Sequence, residues 1–286
     1  MVLCELIPHL LSIDANGVRL AAWEWPGEGV PLVFVHATSF HGRLWDAVIR
    51  QLAGRRAIAL EMRGHGRSEK IEPPYDWRWF GRDVAAATEQ LALRGAIGIG
   101  HSMGGYAIAT AAAIRPEAFA ELLLVDPTIF PPATYSAAAQ PEVSFILRRR
   151  NHWKSAHEMF ERFHNRQPFA AWQPEVLRDY CEFGVLKNND GYVLACPPPV
   201  EASIYATSKT AEANPYAAVT SIAVPVTVMR AARVRTGDGL DLAASPTAPD
   251  LAAKFQHGRE IVLQGRSHYI PMEAPDLVAR EIARIA

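Results

Sequence analysis

Residues 96–105 read Ala96-Ile97-Gly98-Ile99-Gly100-His101-Ser102-Met103-Gly104-Gly105, and they govern the reading of the rest of the chain. Ala96–Ile99 is a short apolar run of the kind found in a strand covered on both faces. An alanine-rich stretch follows at once, from Ser102 to Ile114, and reads as a helix ended by Arg115-Pro116. Between the two, Gly100-His101-Ser102-Met103-Gly104 fits G-x-S-x-G in a strand–turn–helix setting. So sharp a turn holds its serine in a strained backbone conformation, and side chains at positions 100 and 104 would collide with their neighbours. The helix N-terminus beneath the serine favours negative charge developing beside it. The pentapeptide alone also describes a glycine-rich helix start with a capping serine. Its setting makes Ser102 a candidate nucleophile.

Working outward, the chain alternates. His9–Asp14 and Val18–Trp25 are strand-like and flank Asn16-Gly17, a pair suited to a tight turn. Leu32–Val35, Ala57–Leu60 and Leu122–Val125 are further apolar runs, with helical patterns over 43–52 and 77–93. Strand patterns resume at Val224–Met229 and Glu260–Leu263, and a helix over about 275–285 follows. This order predicts an α/β fold with a mostly parallel sheet wrapped by helices. Residues 128–220 break the alternation and carry many aromatics, among them Trp153, Phe163, Phe169, Trp172 and Tyr180. They are expected to form a helical cap over a core made of 1–127 and 221–286.

Composition narrows the function classes. The chain has 286 residues, 49% hydrophobic and 21% charged, within the range of globular proteins. Lys and Arg number 29 against 30 Asp and Glu, so charge gives no reason to expect nucleic acid as a partner. Arg148-Arg149-Arg150 is expected to be a solvated helix face. The 3 cysteines, Cys4, Cys181 and Cys196, have neither disulfide-framework nor zinc-knuckle spacing. The start of the chain lacks a secretory pattern and no apolar run reaches 18 residues, so a cytoplasmic protein without a membrane span is expected. No cofactor or metal is implied.

Two further stretches carry a family resemblance. Leu32–Val35 leads into His36-Ala37-Thr38-Ser39-Phe40, and the fourth strand into Glu61-Met62-Arg63-Gly64-His65-Gly66-Arg67-Ser68. With the turn at Ser102, these make the chain resemble the α/β-hydrolase superfamily over nearly its full length. The resemblance implies an eight-stranded sheet, with the backbone N–H groups of Met103 and Thr38 as an oxyanion hole. The family commonly has glycine where this chain has Ala37, and Asp where it has Glu61. His36 is implied to brace its loop, the 61–68 stretch to shape another, and His65 to be surface or structural.

A serine hydroxyl needs a base. Of 10 histidines, His268 in Gly265-Arg266-Ser267-His268-Tyr269 lies between the last strand and the last helix, where the family carries its catalytic histidine. His101 is expected to point away from the Ser102 hydroxyl and to serve packing. The third group must be a carboxylate. The family's usual position, after the strand ending Val228-Met229-Arg230, offers no acid before Asp238 and Asp241. Asp126, at the end of Leu122–Val125, is preferred because a strand end fixes it; Asp238 is the alternative.

The resemblance implies hydrolysis of carboxylic esters of small to medium apolar substrates through an acyl-enzyme. Lactone opening and carbon–carbon hydrolysis of diketones use the same groups. A noncatalytic ligand-binding protein is the alternative of another class, and the presence of Ser102 and His268 speaks against it.

Overall fold

A computed structural model describes residues 7–52, 54–138, 141–233 and 241–285. Asn16 and Gly17, with φ of 50° and 78°, turn β1 (His9–Ala15) back onto β2 (Val18–Trp25). These two strands and the β2–β4 pairing are antiparallel. The remaining neighbours run parallel: β3 (Glu28–Val35), β4 (Arg55–Glu61), β5 (Ala96–His101), β6 (Phe119–Val125), and the later strands Val226–Ala231 and Gly258–Leu263. The result is one eight-stranded, mostly parallel sheet, as the alternation predicts.

Two apolar layers cover its faces. Helices Trp77–Gln90 and Met103–Ile114 pack on one side, through Phe80, Val84, Ile108 and Ala111. Helix Pro275–Ile285 packs on the other, through Val278 and Ile282. The central strands are buried on both faces, which is why their sequences read as continuous apolar runs. Parallel register brings Val35 opposite Gly100, His101 opposite Val125, and Val125 opposite Met229. The loops that leave these strand ends therefore share one rim, where open α/β sheets place their ligands.

The loop after β4 is held by its own charges. Glu61 is fully buried and accepts from the Arg67 backbone N–H (2.5 Å) and the Trp23 indole (3.0 Å). A Cβ at Gly66 would run into that carboxylate. Arg63 donates twice to Asp83, at 2.5 and 2.6 Å, in a pair almost sealed from water.

Residues 128–220 hold helices at Ala156–Phe163, Pro174–Phe183 and Pro198–Thr207. They are not wholly helical. β7 (His152–Trp153), β8 (Val185–Asn188) and β9 (Gly191–Leu194) form a small antiparallel sheet. Asn188 accepts from the Asp190 N–H at 3.1 Å and Gly191 takes φ 129°, a turn that the helical reading passed over. The aromatics of this segment mostly pack on one another and on Phe40, Leu44, Tyr269 and Met272 below.

The three arginines at 148–150 are not on a helix, though Arg148 and Arg150 are exposed as expected. Helix Ser144–Leu147 ends before them. Arg150 lies over the Trp153 ring and pairs with Glu158, while Arg149 turns inward to Glu201.

Candidate active site

Ser102 has φ 56° and ψ −117°, a region L-residues rarely occupy. The elbow forces it there. A Cβ at Gly100 would strike the Gly104 backbone, and one at Gly104 would strike the Val35 carbonyl. Ser102 thus stands at the strand end over the first turn of helix Met103–Ile114.

Its hydroxyl has two partners. His268 Nε2 lies 2.9 Å away, and Thr128 Oγ1 also 2.9 Å away. The other ring nitrogen, His268 Nδ1, lies 2.6 Å from Asp126 Oδ2. Asp126 is fully buried, with φ 44°. Its second oxygen, Oδ1, accepts from the Ala231 N–H (3.0 Å), Ser245 Oγ (2.7 Å) and Thr247 Oγ1 (3.3 Å). His268 is tied from behind, its N–H donating to the Ala243 carbonyl at 2.8 Å. A serine, an imidazole and a carboxylate therefore form one hydrogen-bonded line, able to move a proton off Oγ and to stabilise the imidazolium that results.

Asp238 lies outside the described residues. Asp241 faces Arg233 at 2.9 Å and accepts from the Ala243 N–H, so its carboxylate is engaged away from the imidazole.

The backbone N–H groups of Thr38 and Met103 have no hydrogen-bond acceptor among the described residues. Thr38 lines the cavity beside Ser102, and Met103 is the first residue of the helix. Two unengaged donors next to a serine suit an oxyanion. Ala37 is accommodated, its carbonyl accepting from Phe40 N–H at 3.1 Å.

The neighbouring histidines are framework. Met62 N–H donates to His36 Nε2 at 3.0 Å, so that nitrogen carries no proton; burial pushes the His36 pKa down to about 4. His65 is buried rather than at the surface, accepting from Ser39 N–H at 3.0 Å and donating to the Arg63 carbonyl at 2.9 Å. His101 donates from Nε2 to the His268 carbonyl at 2.8 Å, while burial, aided by His268, drives its pKa well down.

Two spaces open from Ser102. The larger, about 350 Å³, is lined by Trp77, Phe130, Pro131, Leu242 and Pro249 among others. The smaller, about 30 Å³, lies between the loop at Thr38 and the segment above, and includes Arg149, Glu201, Tyr205 and Tyr269. Of the aromatics in 128–220, Phe130, Phe169, Trp172, Tyr180 and Tyr205 line one or other space, while Trp153 and Phe163 are spent on packing. Thr128, Ser245, Thr247, Arg149 and Glu201 carry no sequence pattern that marks them. Among the described residues no group of His, Cys, Asp or Glu has the arrangement of a metal site, and no helix is long and apolar enough to cross a membrane.

This fold and this line of polar groups define a class. The chain belongs to the alpha/beta hydrolase family, whose model matches residues 32–281. A non-heme chloroperoxidase of Streptomyces lividans is 36% identical over 132 residues, 45% of this chain and 47% of that protein. The match thus spans about half the length of that relative. The 2-(acetamidomethylene)succinate hydrolase of Mesorhizobium japonicum is 24% identical over 283 residues, 96% of this chain and 94% of that one. Among solved structures, an E-2-(acetamidomethylene)succinate hydrolase superposes with a TM-score of 0.77 at 20% identity, covering 97% of this chain and 98% of the other. The enol-lactonase of Burkholderia xenovorans gives 0.68 at 18%, with 96% and 98% covered.

Proposed function

We propose that this chain is a serine hydrolase acting on carboxylic esters, with Ser102 as nucleophile, His268 as general base and Asp126 as the orienting acid. The observation that carries the reading is the unbroken line from Asp126 Oδ2 through His268 to Ser102 Oγ, at 2.6 and 2.9 Å, opening onto a cavity.

In this reading Ser102 Oγ attacks the ester carbonyl as His268 Nε2 takes its proton. The N–H groups of Thr38 and Met103 hold the tetrahedral oxyanion. His268 returns the proton to the departing alcohol, leaving an acyl-enzyme. Water, deprotonated by the same nitrogen, then releases the acid and restores Ser102. Residues 128–220 act as the cap that bounds the cavity. Relatives named as hydrolases of an acetamidomethylene succinate and of an enol lactone fit the same two-step acyl transfer to water.

Labelling with a fluorophosphonate probe tests it. Wild type is expected to label and Ser102→Ala not to label. A folded wild type that neither labels nor turns over any of a panel of 4-nitrophenyl esters would point to a binding protein instead.

A further inference from the structure

The small space beside Ser102 is chemically unlike the large one. Arg149 bonds Glu201 Oε1 through Nη1 at 2.5 Å, and this is its one side-chain hydrogen bond among the described residues. Both partners line the space, Glu201 buried and Arg149 with 36% of its side-chain surface still accessible. Nε and Nη2 are left as donors. Tyr180, Tyr205 and Tyr269 line the same space, and their hydroxyls have no hydrogen-bond partner among the described residues. Beside these groups the space holds one unengaged carboxylate oxygen, the buried Glu201 Oε2, and its volume of about 30 Å³ has room for one small polar group.

A guanidinium fork backed by hydroxyls matches a planar, two-oxygen acceptor. Glu201 anchors the fork from behind, which limits how much side-chain freedom is lost when a ligand docks. An apolar acyl tail would strand every one of these donors, and each stranded donor is costly where water is excluded. A carboxylate, with two oxygens to share between the guanidinium and the hydroxyls, would engage these donors.

We propose that this space is a carboxylate subsite, and that the substrate is a short ester bearing a free carboxylate a few bonds from the scissile carbonyl, such as a monoester of a dicarboxylic acid. This rests on Ser102 being the nucleophile. The large cavity takes the uncharged remainder.

Glutarate binding, followed by titration calorimetry, tests the subsite without turnover. Wild type is expected to bind glutarate and not dimethyl glutarate, and Arg149→Met to lose at least about 10-fold in affinity. Turnover is then compared within two matched pairs, 4-nitrophenyl hydrogen glutarate against 4-nitrophenyl pentanoate, and 4-acetoxybenzoate against its methyl ester. In at least one pair kcat/KM should favour the anion by about 10–100-fold, and the ratio should collapse towards one in Arg149→Met. Equal treatment of both members in both pairs, or a preference that survives the substitution, overturns the subsite. Should Arg149→Met fail to fold, Tyr205→Phe serves, with an expected loss of about 3–10-fold in glutarate affinity; unchanged affinity counts against the proposal. If no ester is turned over, the hydrolase reading falls while glutarate binding still decides the subsite.

Discussion

Asp126 and His268, 142 positions apart in the chain, meet through Oδ2 and Nδ1 at 2.6 Å, and the two oxygens of that carboxylate do different work. Oδ2 faces the imidazole alone. Oδ1 gathers the Ala231 N–H and the hydroxyls of Ser245 and Thr247, which fix the carboxylate plane. Asp126→Asn must turn its carbonyl oxygen to those three donors, which leaves the amide NH₂ facing Nδ1 and forces the unproductive imidazole tautomer. Ester turnover should fall by about 10³–10⁴-fold, far more than in Asp238→Asn. Steady-state kinetics of the two variants check the ranking, and the reverse order would move the acid to the later loop.

Ser102→Ala should lower kcat by about four to six orders of magnitude while circular dichroism and the melting midpoint stay near wild type. A variant that kept most of its activity would refute the nucleophile assignment.

Thr128 Oγ1 lies 2.9 Å from Ser102 Oγ, so it can donate to that oxygen while the Ser102 hydroxyl donates to His268. Thr128→Val removes one neutral hydrogen bond worth about 1 kcal/mol, so kcat/KM should drop roughly 3–10-fold. Unaltered kinetics would show that the contact does not matter to attack.

The buried pair of Arg63 and Asp83 bears on stability rather than chemistry. Removing the cation in Arg63→Met leaves an uncompensated buried carboxylate, and urea unfolding should show a loss of about 3–5 kcal/mol. A loss below about 1 kcal/mol would mean that water reaches Asp83.

Acid should unfold the protein early. Burial pushes the pKa of His36 down to about 4 and that of His41 to about 3, and drives His65 and His101 well down too. A histidine depressed in the fold binds fewer protons folded than unfolded between those values and the ordinary 6.5. Its contribution is full above 6.5 and is lost as pH falls towards 4. Between pH 7 and 5 the melting midpoint should drop by on the order of 5 °C or more. A flat profile there would show that these rings are protonated at little cost in the folded state.

Much of the sheet was legible because burial on both faces leaves runs such as Leu122–Val125 no polar choice, and because Gly100 and Gly104 tolerate no side chain. The helical reading of Arg148–Arg150 failed for a related reason. Nothing local says that Glu201, 52 residues on, is buried and in need of a cation. The small sheet at 152–194 was passed over because its strands of 2–4 residues show no period.

The sequence by itself determined the strand–turn–helix at Ser102 and the alternation of the core, since both are written in local sterics and periodicity, whereas the choice of His268 among ten histidines came from the family resemblance. Tertiary structure alone decided which carboxylate faces His268, that Thr128 rests on Ser102, and that Arg149 lines the cavity. These are contacts between segments 26 to 142 residues apart, made by polar side chains whose partners come from the folding of the whole sheet and not from their neighbours in the chain.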